Sequence, residues 1–222
     1  MTLDTCHDAR GVVVVVDVLR AFTTAAYAFA GGAEEIFLVS TVEEAFSLRK
    51  RNSDWLLVGE VDGLPVDGFD LPNSPSALEK LDLSSRRLIQ RTTAGTQGVV
   101  SAIQSGRLFA ASLCVGSATA DCIRALNPEV VTFVETGVRA TGGGEDDVAC
   151  ADYITGFLID KPVSLTEVQK MVLNSRAAAK FSNSENRDFP EADLEHALKI
   201  DRFAFGMEVE RRDELLVLRP VH

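Results

Sequence analysis

Carboxylates, hydroxyls and one arginine are concentrated in four short segments of the chain, residues 17–24, 59–75, 92–96 and 145–147. Carboxylate oxygens are ligands that suit Mg²⁺, and an arginine can hold an oxyanion through two parallel hydrogen bonds. Hydroxyls and free backbone N–H groups suit phosphate oxygens. Together the four segments predict metal-assisted chemistry on a phosphate ester.

The first segment directly follows a run of five valines, Val12 to Val16. An all-apolar, β-branched run of this length predicts a strand that is buried on both faces, as in a parallel sheet. Asp17, Arg20 and Thr23 then follow the end of that strand, at the edge where open α/β sheets bind ligands. We therefore expect a metal-binding carboxylate and an anion-binding arginine at this edge.

Each segment also has a purely structural interpretation. Asp17 could cap the following helix, and Arg20 could form a surface ion pair that contributes little. Residues 92–93 have high strand propensity, and the acids at 145–147 favour the dipole of a helix that begins there. Residues 73–75 could form a helix cap with proline at the first helical position. The chemical interpretation therefore depends on the joint placement of the segments after predicted strands.

Strands and helices are predicted to alternate through the first 135 residues. The predicted strands are Val12–Val16, Glu35–Ser40, Trp55–Gly59, Arg87–Thr92, Arg107–Ser112 and Val130–Glu135. The predicted helices are Ala21–Ala30, one capped by Thr41 and Glu44 that runs to about Arg51, a short one near Pro75, one after the turn 93–96 that runs through Ser105, and Ser117–Leu126. This alternation is typical of βα units in an α/β protein.

Beyond Glu145 the pattern changes to helices and one hairpin. The predicted helices are Asp146–Ile159, Leu165–Leu173, Ser175–Phe181 and Glu191–Lys199, and the hairpin pairs Phe205–Glu210 with Leu215–Leu218 at an antiparallel edge of the sheet. The predicted fold class is a three-layer α/β/α protein with a mostly parallel or mixed sheet, additional C-terminal helices and an antiparallel C-terminal hairpin. Residues 1–222 are expected to form a single α/β domain, with two tightly joined halves as the alternative.

A weak internal repeat bears on that alternative. A strand, two threonines, a helix and a second strand occur over residues 12–40 and again over residues 87–112. The repeat indicates either an old duplication or the general pattern of βαβ folds.

The composition restricts the class of partner. The 222 residues carry a formal net charge of −11, which argues against nucleic acid and anionic membranes as partners. Four cysteines without a CxxC pair argue against a zinc site and are typical of reduced thiols. The first residues do not resemble a secretory signal, and no apolar run is long enough to cross a bilayer. We expect a cytoplasmic protein.

Other phosphatase signatures do not match. A haloacid-dehalogenase-type site needs a second aspartate at position 19, which is Leu19, and Cys114 has no following arginine to close a cysteine-phosphatase loop. A Gly-Lys-Ser/Thr phosphate loop is absent, and the three histidines do not suggest a Ser-His-Asp triad. An activated water is the simplest nucleophile, while an aspartyl-phosphate intermediate at Asp17 stays open.

Five ordered motifs together resemble the 2-phosphosulfolactate phosphatase family. They are Asp17-Val18-Leu19-Arg20-Ala21, Gly59-Glu60, Gly68-Phe69-Asp70-Leu71 with Asn73-Ser74-Pro75, Thr92-Thr93 with Gly95-Thr96, and Glu145-Asp146-Asp147. The resemblance implies a Mg²⁺-dependent acid phosphatase of α/β/α architecture that converts 2-phosphosulfolactate to sulfolactate and phosphate, within coenzyme M synthesis. It also implies a small anionic phosphate-ester substrate and a homodimer.

The motifs assign a predicted role to each site residue. The predicted catalytic residues are Asp17, Arg20 and Asp70. The predicted Mg²⁺ ligands are Asp17, Glu60 and an acid from the Asp146–Asp147 pair. The predicted substrate-binding residues are Arg20, Thr23, Asn73, Ser74, Thr92, Thr93, Gly95 and Thr96.

The chain departs from the family pattern in two loops. The family usually has Gly-Glu-Arg-Gly-Gly where this chain has Val61 and Asp62 in the middle, so an arginine is lost and an acid gained. It usually has an asparagine where this chain has Ala94. These changes motivate an alternative function, a non-catalytic protein that binds an anionic metabolite on the same fold.

Overall fold

The computed structural model describes residues 1–103, 106–138, 141–161, 163–182 and 186–222. Its strands are β1 (Val12–Val16), β2 (Glu35–Leu38), β3 (Leu56–Gly59), β4 (Leu71–Pro72), β5 (Arg87–Arg91), β6 (Arg107–Ala111), β7 (Val131–Glu135), β8 (Gly206–Arg212) and β9 (Leu215–Val221). They form one nine-stranded sheet in the order β4-β3-β5-β2-β9-β8-β6-β1-β7.

Eight α-helices occur among the described residues. They are α1 (Ala21–Ala30), α2 (Val42–Arg51), α3 (Pro75–Leu78), α4 (Gly95–Ser101), α5 (Gly116–Ala125), α6 (Glu145–Leu158), α7 (Leu165–Leu173) and α8 (Glu191–Ala197). Short 3₁₀ turns cover Cys6–Asp8, Leu113–Val115 and Ala178–Phe181. In the part of the chain described, no helix combines the length and apolar content needed to cross a membrane.

The valine run forms a strand that is buried on both faces, as predicted. Val13 and Val15 pack into one core cluster with α1 and α4, whereas Val12, Val14 and Val16 pack into another with α5, α6 and α7. A third cluster packs α2 against β2, β3 and β5. Helices therefore cover both faces of the sheet, and the predicted three-layer α/β/α class is confirmed.

Most predicted elements form close to their predicted bounds. Thr41 and Glu44 make the capping box at α2, because the Thr41 hydroxyl accepts from the Glu44 amide and the Glu44 carboxylate accepts from the Thr41 amide. The helix predicted through Ser105 ends at Ser101, and residues 104–105 lie outside the described residues. Of the helix predicted over Ser175–Phe181, only a 3₁₀ turn at Ala178–Phe181 forms.

The C-terminal hairpin forms, but its predicted place at the edge of the sheet is wrong. β9 pairs antiparallel with β2 and β8 pairs antiparallel with β6, so the hairpin joins two groups of parallel strands at the centre. Local periodicity detects the hairpin but contains no information about its partners. The hairpin lies at the centre because β2 and β6 each have one side without a parallel partner, and β9 and β8 pair with the backbone N–H and C=O groups on those sides.

The strand order is symmetric about the hairpin. β1 pairs with β6 and is flanked by β7, just as β5 pairs with β2 and is flanked by β3. The sequence repeat therefore corresponds to two equivalent units, β1-α1-β2 and β5-α4-β6. Because three antiparallel pairings lie between β2 and β6, the parallel strands of the two groups run in opposite senses.

Candidate active site

A cleft of about 480 Å³ contains most of the polar segments that the sequence analysis singled out. It is lined by Asp17, Leu19, Arg20, Glu60, Asp62, Gly63, Asn73, Thr93, Ala94, residues 136–137 and 141–144, Asp146, Asp147, Arg176, Ala177, Lys180, Phe181 and Phe189. Asp17 and Glu60 thus share one cleft, although they follow strands of different groups.

The two groups meet because α1 and α4 pack closely at their N-terminal ends. A Cβ at Gly95 would lie 2.7 Å from the Ala21 Cβ and 2.9 Å from Asp17 Oδ2. A Cβ at Gly98 would lie 2.8 Å from a Val15 methyl group. The segments therefore converge through two glycines on α4, and not through a shared edge of parallel strands as the sequence suggested.

Asp17 lies at the buried end of the cleft and is 7% exposed. Its Oδ1 accepts a 2.9 Å hydrogen bond from the Ala21 amide, so it caps α1 as well as lining the cleft. Its Oδ2 accepts a longer hydrogen bond, 3.3 Å, from the Thr136 hydroxyl. Burial raises the pKa of Asp17 to about 7, with further contributions from the charges of Asp146 and Glu60.

Asp146 and Asp147 enter the cleft from the first turn of α6, and both are buried. Burial and nearby charge raise the pKa of Asp146 to about 6, and its Oδ1 has no hydrogen-bond partner among the described residues. Asp147 differs, because its oxygens accept from the Val18 amide at 2.8 Å and the Gly137 amide at 2.6 Å. Its pKa is raised well above the usual range by burial and by the charges of Asp146 and Asp17.

The third acid of the sequence motif, Glu145, lies outside the lining of the cleft. Its carboxylate accepts a hydrogen bond from the Arg176 amide. Glu145 thus contacts the chain that follows α7, and the acids that face the cleft are Asp146 and Asp147.

Glu60 organises the loop that follows β3. Its two oxygens accept hydrogen bonds from the amides of Thr93 and Gly63, and Oε2 also accepts from the Thr93 hydroxyl at 3.0 Å. The hydroxyl of Thr93 in turn accepts from the Asp62 amide at 2.7 Å. These contacts place both departures from the family pattern, Asp62 and Ala94, at the cleft.

The carboxylates of the cleft differ in whether their oxygen atoms are free to bind a metal ion. Across the described ranges, no three His, Cys, Asp or Glu side chains are arranged to hold a metal ion. Glu60 and Asp147 already accept backbone N–H bonds on both oxygens. Asp146 Oδ1 has no partner and Asp17 Oδ2 has only a long hydrogen bond, so these two acids fit a cation that takes few protein ligands.

Arg20 is buried and is held by contacts on several sides. Its Nη1 donates to Asp193 Oδ2 at 2.9 Å and to the Asp188 carbonyl at 2.8 Å, and its Nη2 donates to the Gly63 carbonyl at 3.2 Å. The guanidinium carbon lies 4.7 Å from the centre of the Phe189 ring. Arg20 therefore forms a buried ion pair beside the cleft, and not the surface ion pair considered as the alternative.

Asp193 was missed by the sequence analysis. It is fully buried on α8, and its Oδ1 accepts from the hydroxyls of Ser74 at 2.7 Å and Ser76 at 2.6 Å and from the Ser76 amide at 3.0 Å. Its Oδ2 binds Arg20. Asp193 thus connects Arg20 to the start of α3, and no local motif around Glu191–Ala197 signals this role.

Asp70, a predicted catalytic residue, is not brought to the cleft. It pairs with Arg49 at 2.8 Å and accepts from the Leu57 amide at 2.8 Å. Partial burial alone would raise the pKa of Asp70, but the hydrogen bonds from Arg49 and Leu57 lower it below the usual range. A carboxylate engaged in this way supports the chain between β3 and β4.

Several predicted substrate-binding residues have structural contacts instead. The Thr23 hydroxyl donates to the Val18 carbonyl at 2.7 Å, and Ser74 caps α3 while donating to Asp193. Thr92 and Thr96 bond to each other through side chains and amides at the start of α4. None of these four residues lines the cleft, whereas Asn73 and Thr93 do.

Asn73 also faces a second cavity. This cavity, of about 240 Å³, shares Arg20, Glu60, Gly63 and Asn73 with the cleft. Asn73 Oδ1 is buried and has no hydrogen-bond partner within the described residues. The amide of Asn73 is thus available to a ligand at the boundary between the two spaces.

Two basic and two aromatic residues of the cleft were also missed. They are Arg176, Lys180, Phe181 and Phe189. The sequence predicts only a helix over residues 175–181. Basic residues such as Arg176 and Lys180 are common at exposed helical positions and do not by themselves indicate a ligand. Their place at the cleft follows from the packing of the chain after α7.

Comparisons with known proteins find matches that span most of the chain. A model of the 2-phosphosulpholactate phosphatase family matches residues 2–211. The chain is 35% identical over 211 residues to a probable 2-phosphosulfolactate phosphatase of Bacillus subtilis, covering 94% of this chain and 91% of that protein. It is 38% identical over 201 residues to one of Carboxydothermus hydrogenoformans, covering 89% of this chain and 79% of that protein.

Proposed function

The chain belongs to the 2-phosphosulpholactate phosphatase family of phosphoric monoester hydrolases, and on this premise we propose that it hydrolyses 2-phosphosulfolactate to sulfolactate and phosphate. The observation that carries the proposal is the convergence of two distant segments on one cleft, the first with Asp17 and Arg20 and the second with Asp146. Buried carboxylates that share a cleft with an arginine are the groups needed to bind a phosphoryl group and its attacking oxygen.

Arg20 is the proposed phosphoryl-binding residue. Asp193 and two backbone carbonyls fix its guanidinium, and the described contacts leave Nε free of hydrogen bonds. A guanidinium that is already oriented loses little entropy when it binds an oxyanion. Asn73 and Thr93 are proposed to contact the remaining polar atoms of the substrate, because both line the cleft beside Arg20.

Asp17 is the proposed general base. The Ala21 amide fixes its Oδ1, while its Oδ2 is held less closely and lies in the same cleft. In this scheme water attacks phosphorus as its proton passes to Asp17. The bond from phosphorus to the ester oxygen breaks, and that oxygen takes up a proton from solvent to leave as the alcohol of sulfolactate. Direct attack by Asp17 to form an aspartyl phosphate is the competing route, and rapid quenching with borohydride would trap that intermediate.

Mg²⁺ is the proposed cofactor, with Asp146 as its proposed direct ligand and Asp17 as a proposed ligand through water. The support is chemical, because the two acids have incompletely satisfied oxygens and raised pKa values that an adjacent cation would lower. A bound Mg²⁺ would supply positive charge to phosphoryl oxygens. Glu60 and Asp147 are proposed to position the surrounding loops, because their oxygens already accept backbone hydrogen bonds.

The test measures phosphate release from 2-phosphosulfolactate by the wild type in MgCl₂ or in EDTA. We expect turnover only with MgCl₂, and a loss of roughly 100-fold or more in kcat for Asp17→Asn. Asp121→Asn is the control, since Asp121 is an exposed residue of α5. No hydrolysis of this ester or of simple phosphate esters under either condition would refute the enzyme. Calorimetric binding without turnover would favour the alternative, a binding protein for anionic metabolites.

We further propose a cytoplasmic location, a homodimer and no nucleic-acid or membrane partner. The net charge of −11 and the four free cysteines support the location and the absence of nucleic-acid and membrane partners. The homodimer is proposed from the family resemblance. Light scattering tests the dimer. A role in coenzyme M synthesis stays a prediction from the family resemblance.

A further inference from the structure

The basic residues of the cleft differ in how their charge is balanced. Within the described ranges, Arg20, Arg176 and Lys180 are the basic side chains that line it. Arg20 is paired with the fully buried Asp193 at 2.9 Å. Neither Arg176 nor Lys180 forms an ion pair with an acid in the described part of the chain. The positive charge of the cleft that lacks a close ion pair therefore lies on the segment after α7, where Glu145 attracts Arg176 only at longer range.

Arg176 is oriented toward the cleft by backbone groups. Its Nη1 donates to the carbonyls of Thr141 at 3.1 Å and Gly142 at 3.4 Å. Its own amide donates to Glu145 Oε2 at 3.1 Å. These bonds tie Arg176 to the loop that leads into α6, and Nη2 and Nε are left for a ligand. Because Glu145 directly precedes Asp146, Arg176 has a fixed place relative to the buried acids.

Lys180 is held by an aromatic ring that it shares with Arg20. Its Nζ lies 5.5 Å from the centre of the Phe189 ring, and the Arg20 guanidinium lies 4.7 Å from the same ring. Phe189 also packs on Gly63, where an added Cβ would be only 2.6 Å from the ring. The aromatic ring thus keeps two cations apart while holding both beside the cleft.

We propose that Arg176 and Lys180 form a subsite for a second anionic group of the substrate, a sulfonate or carboxylate separated by a few bonds from the phosphate. This inference rests on the proposed function, because the phosphoryl group must occupy the end of the cleft near Arg20 and Asp17. The buried acids would repel a second anion from that end, so the exposed cations after α7 are the charged partners left for it, beside the neutral Asn73 and Thr93. The subsite would make the enzyme select multiply charged esters over simple ones.

The test is calorimetric titration with two probes, sulfolactate and inorganic phosphate, on Arg176→Met and Lys180→Met. We expect the affinity for sulfolactate to fall at least tenfold in each variant, while that for phosphate falls less than threefold. Arg176→Lys should retain more affinity for sulfolactate than Arg176→Met, because it keeps the charge. Lys170→Met is the matched control, since Lys170 is an exposed α7 residue outside the cleft.

The outcomes separate this subsite from the phosphatase activity. Equal losses for both probes, unchanged sulfolactate affinity, or a wild type that binds phosphate but not sulfolactate would each overturn the subsite. Phosphate release from 2-phosphosulfolactate is measured in parallel on the wild type. Binding of sulfolactate that depends on Arg176, without any phosphate release, would refute the proposed function and leave the subsite standing.

Discussion

Replacing Asp193 by asparagine tests whether one buried acid holds the phosphoryl-binding arginine in place. The side chain of Asp193 is fully buried and that of its partner Arg20 is 5% exposed. Asp193→Asn keeps the volume but leaves the guanidinium without a countercharge, and breaking a buried pair in this way costs about 3–5 kcal/mol. At about 2–4 °C per kcal/mol for a protein of this size, Tm should fall by about 6–20 °C.

The assay is thermal and urea unfolding followed by circular dichroism, with kcat measured on the same preparations. Asp121→Asn is the matched control, because Asp121 pairs with Arg124 at 3.5 Å and both side chains are at least half exposed. That substitution should change stability by less than about 1 kcal/mol. Asp193→Asn should also lower kcat, since Arg20 loses the ion pair that orients its guanidinium group.

A double variant distinguishes the lost ion pair from lost packing. Adding Arg20→Met to Asp193→Asn removes the unpaired charge, so the double variant should regain part of the lost stability. The reasoning is refuted if Asp193→Asn unfolds within about 1 kcal/mol of the wild type. It is also refuted if the second substitution destabilises the protein further, because the arginine would then contribute by packing alone.

Three further predictions concern the acids and the helix contact. Because the pKa of Asp17 rises from 3.8 to about 7 on folding, the native state binds the extra proton and stability should fall as pH rises across that window. In EDTA, Asp17→Asn should therefore have a higher urea midpoint than the wild type at pH 8 and little advantage at pH 4; equal midpoints at pH 8 would contradict this. Gly95→Ala should destabilise the protein by about 1–3 kcal/mol in urea unfolding, because its Cβ would lie 2.7 Å from the Ala21 Cβ. Gly106→Ala, whose nearest neighbour would be 3.7 Å away, is the neutral control, and equal effects would show that the helix contact is not limiting. Asp70→Asn should leave kcat within about twofold of the wild type in the phosphate-release assay, since Asp70 lies outside the cleft; a loss comparable to that of Asp17→Asn would restore its predicted catalytic role.

Local signals in the sequence were enough to locate most elements. The valine run specifies a strand buried on both faces, because no polar side chain could face solvent from it. Thr41 and Glu44 mark the start of α2 through hydrogen bonds that span three residues. Such features are short-range and can be read without knowing the tertiary structure.

Pairings between distant segments could not be read in the same way. The period of two in the hairpin indicates strands, but it does not distinguish an edge from the centre of a sheet. The hairpin pairings make the two groups of parallel strands run in opposite senses. The carboxyl ends of β1 and β3 therefore do not lie at one edge of the sheet, and a shared edge is not what brings Asp17 and Glu60 together. The close packing of Gly95 on Ala21 brings the two groups together instead, and the residue that a glycine contacts cannot be predicted from the sequence alone.

The site was predictable where its residues follow strands or begin helices. Asp17, Glu60, Asp146 and Asp147 were found because they belong to motifs that together resemble the family pattern, although some of them also have structural explanations. Asp193 was missed because an acid in the first turn of α8 already has an ordinary explanation in the helix dipole. Its contact with Arg20 spans 173 residues and depends on packing that no local pattern encodes.

The central hairpin has a consequence for synthesis and for truncation. Residues 206–221 are translated after the other described strands. Until then, the backbone N–H and C=O groups along one side of β2 and of β6 have no strand to pair with. Exposed strand margins of this kind recruit other chains. A nascent chain, or one that is cut before residue 206, should therefore behave as two incomplete half-sheets prone to aggregation, and its solubility should depend on residues 206–221.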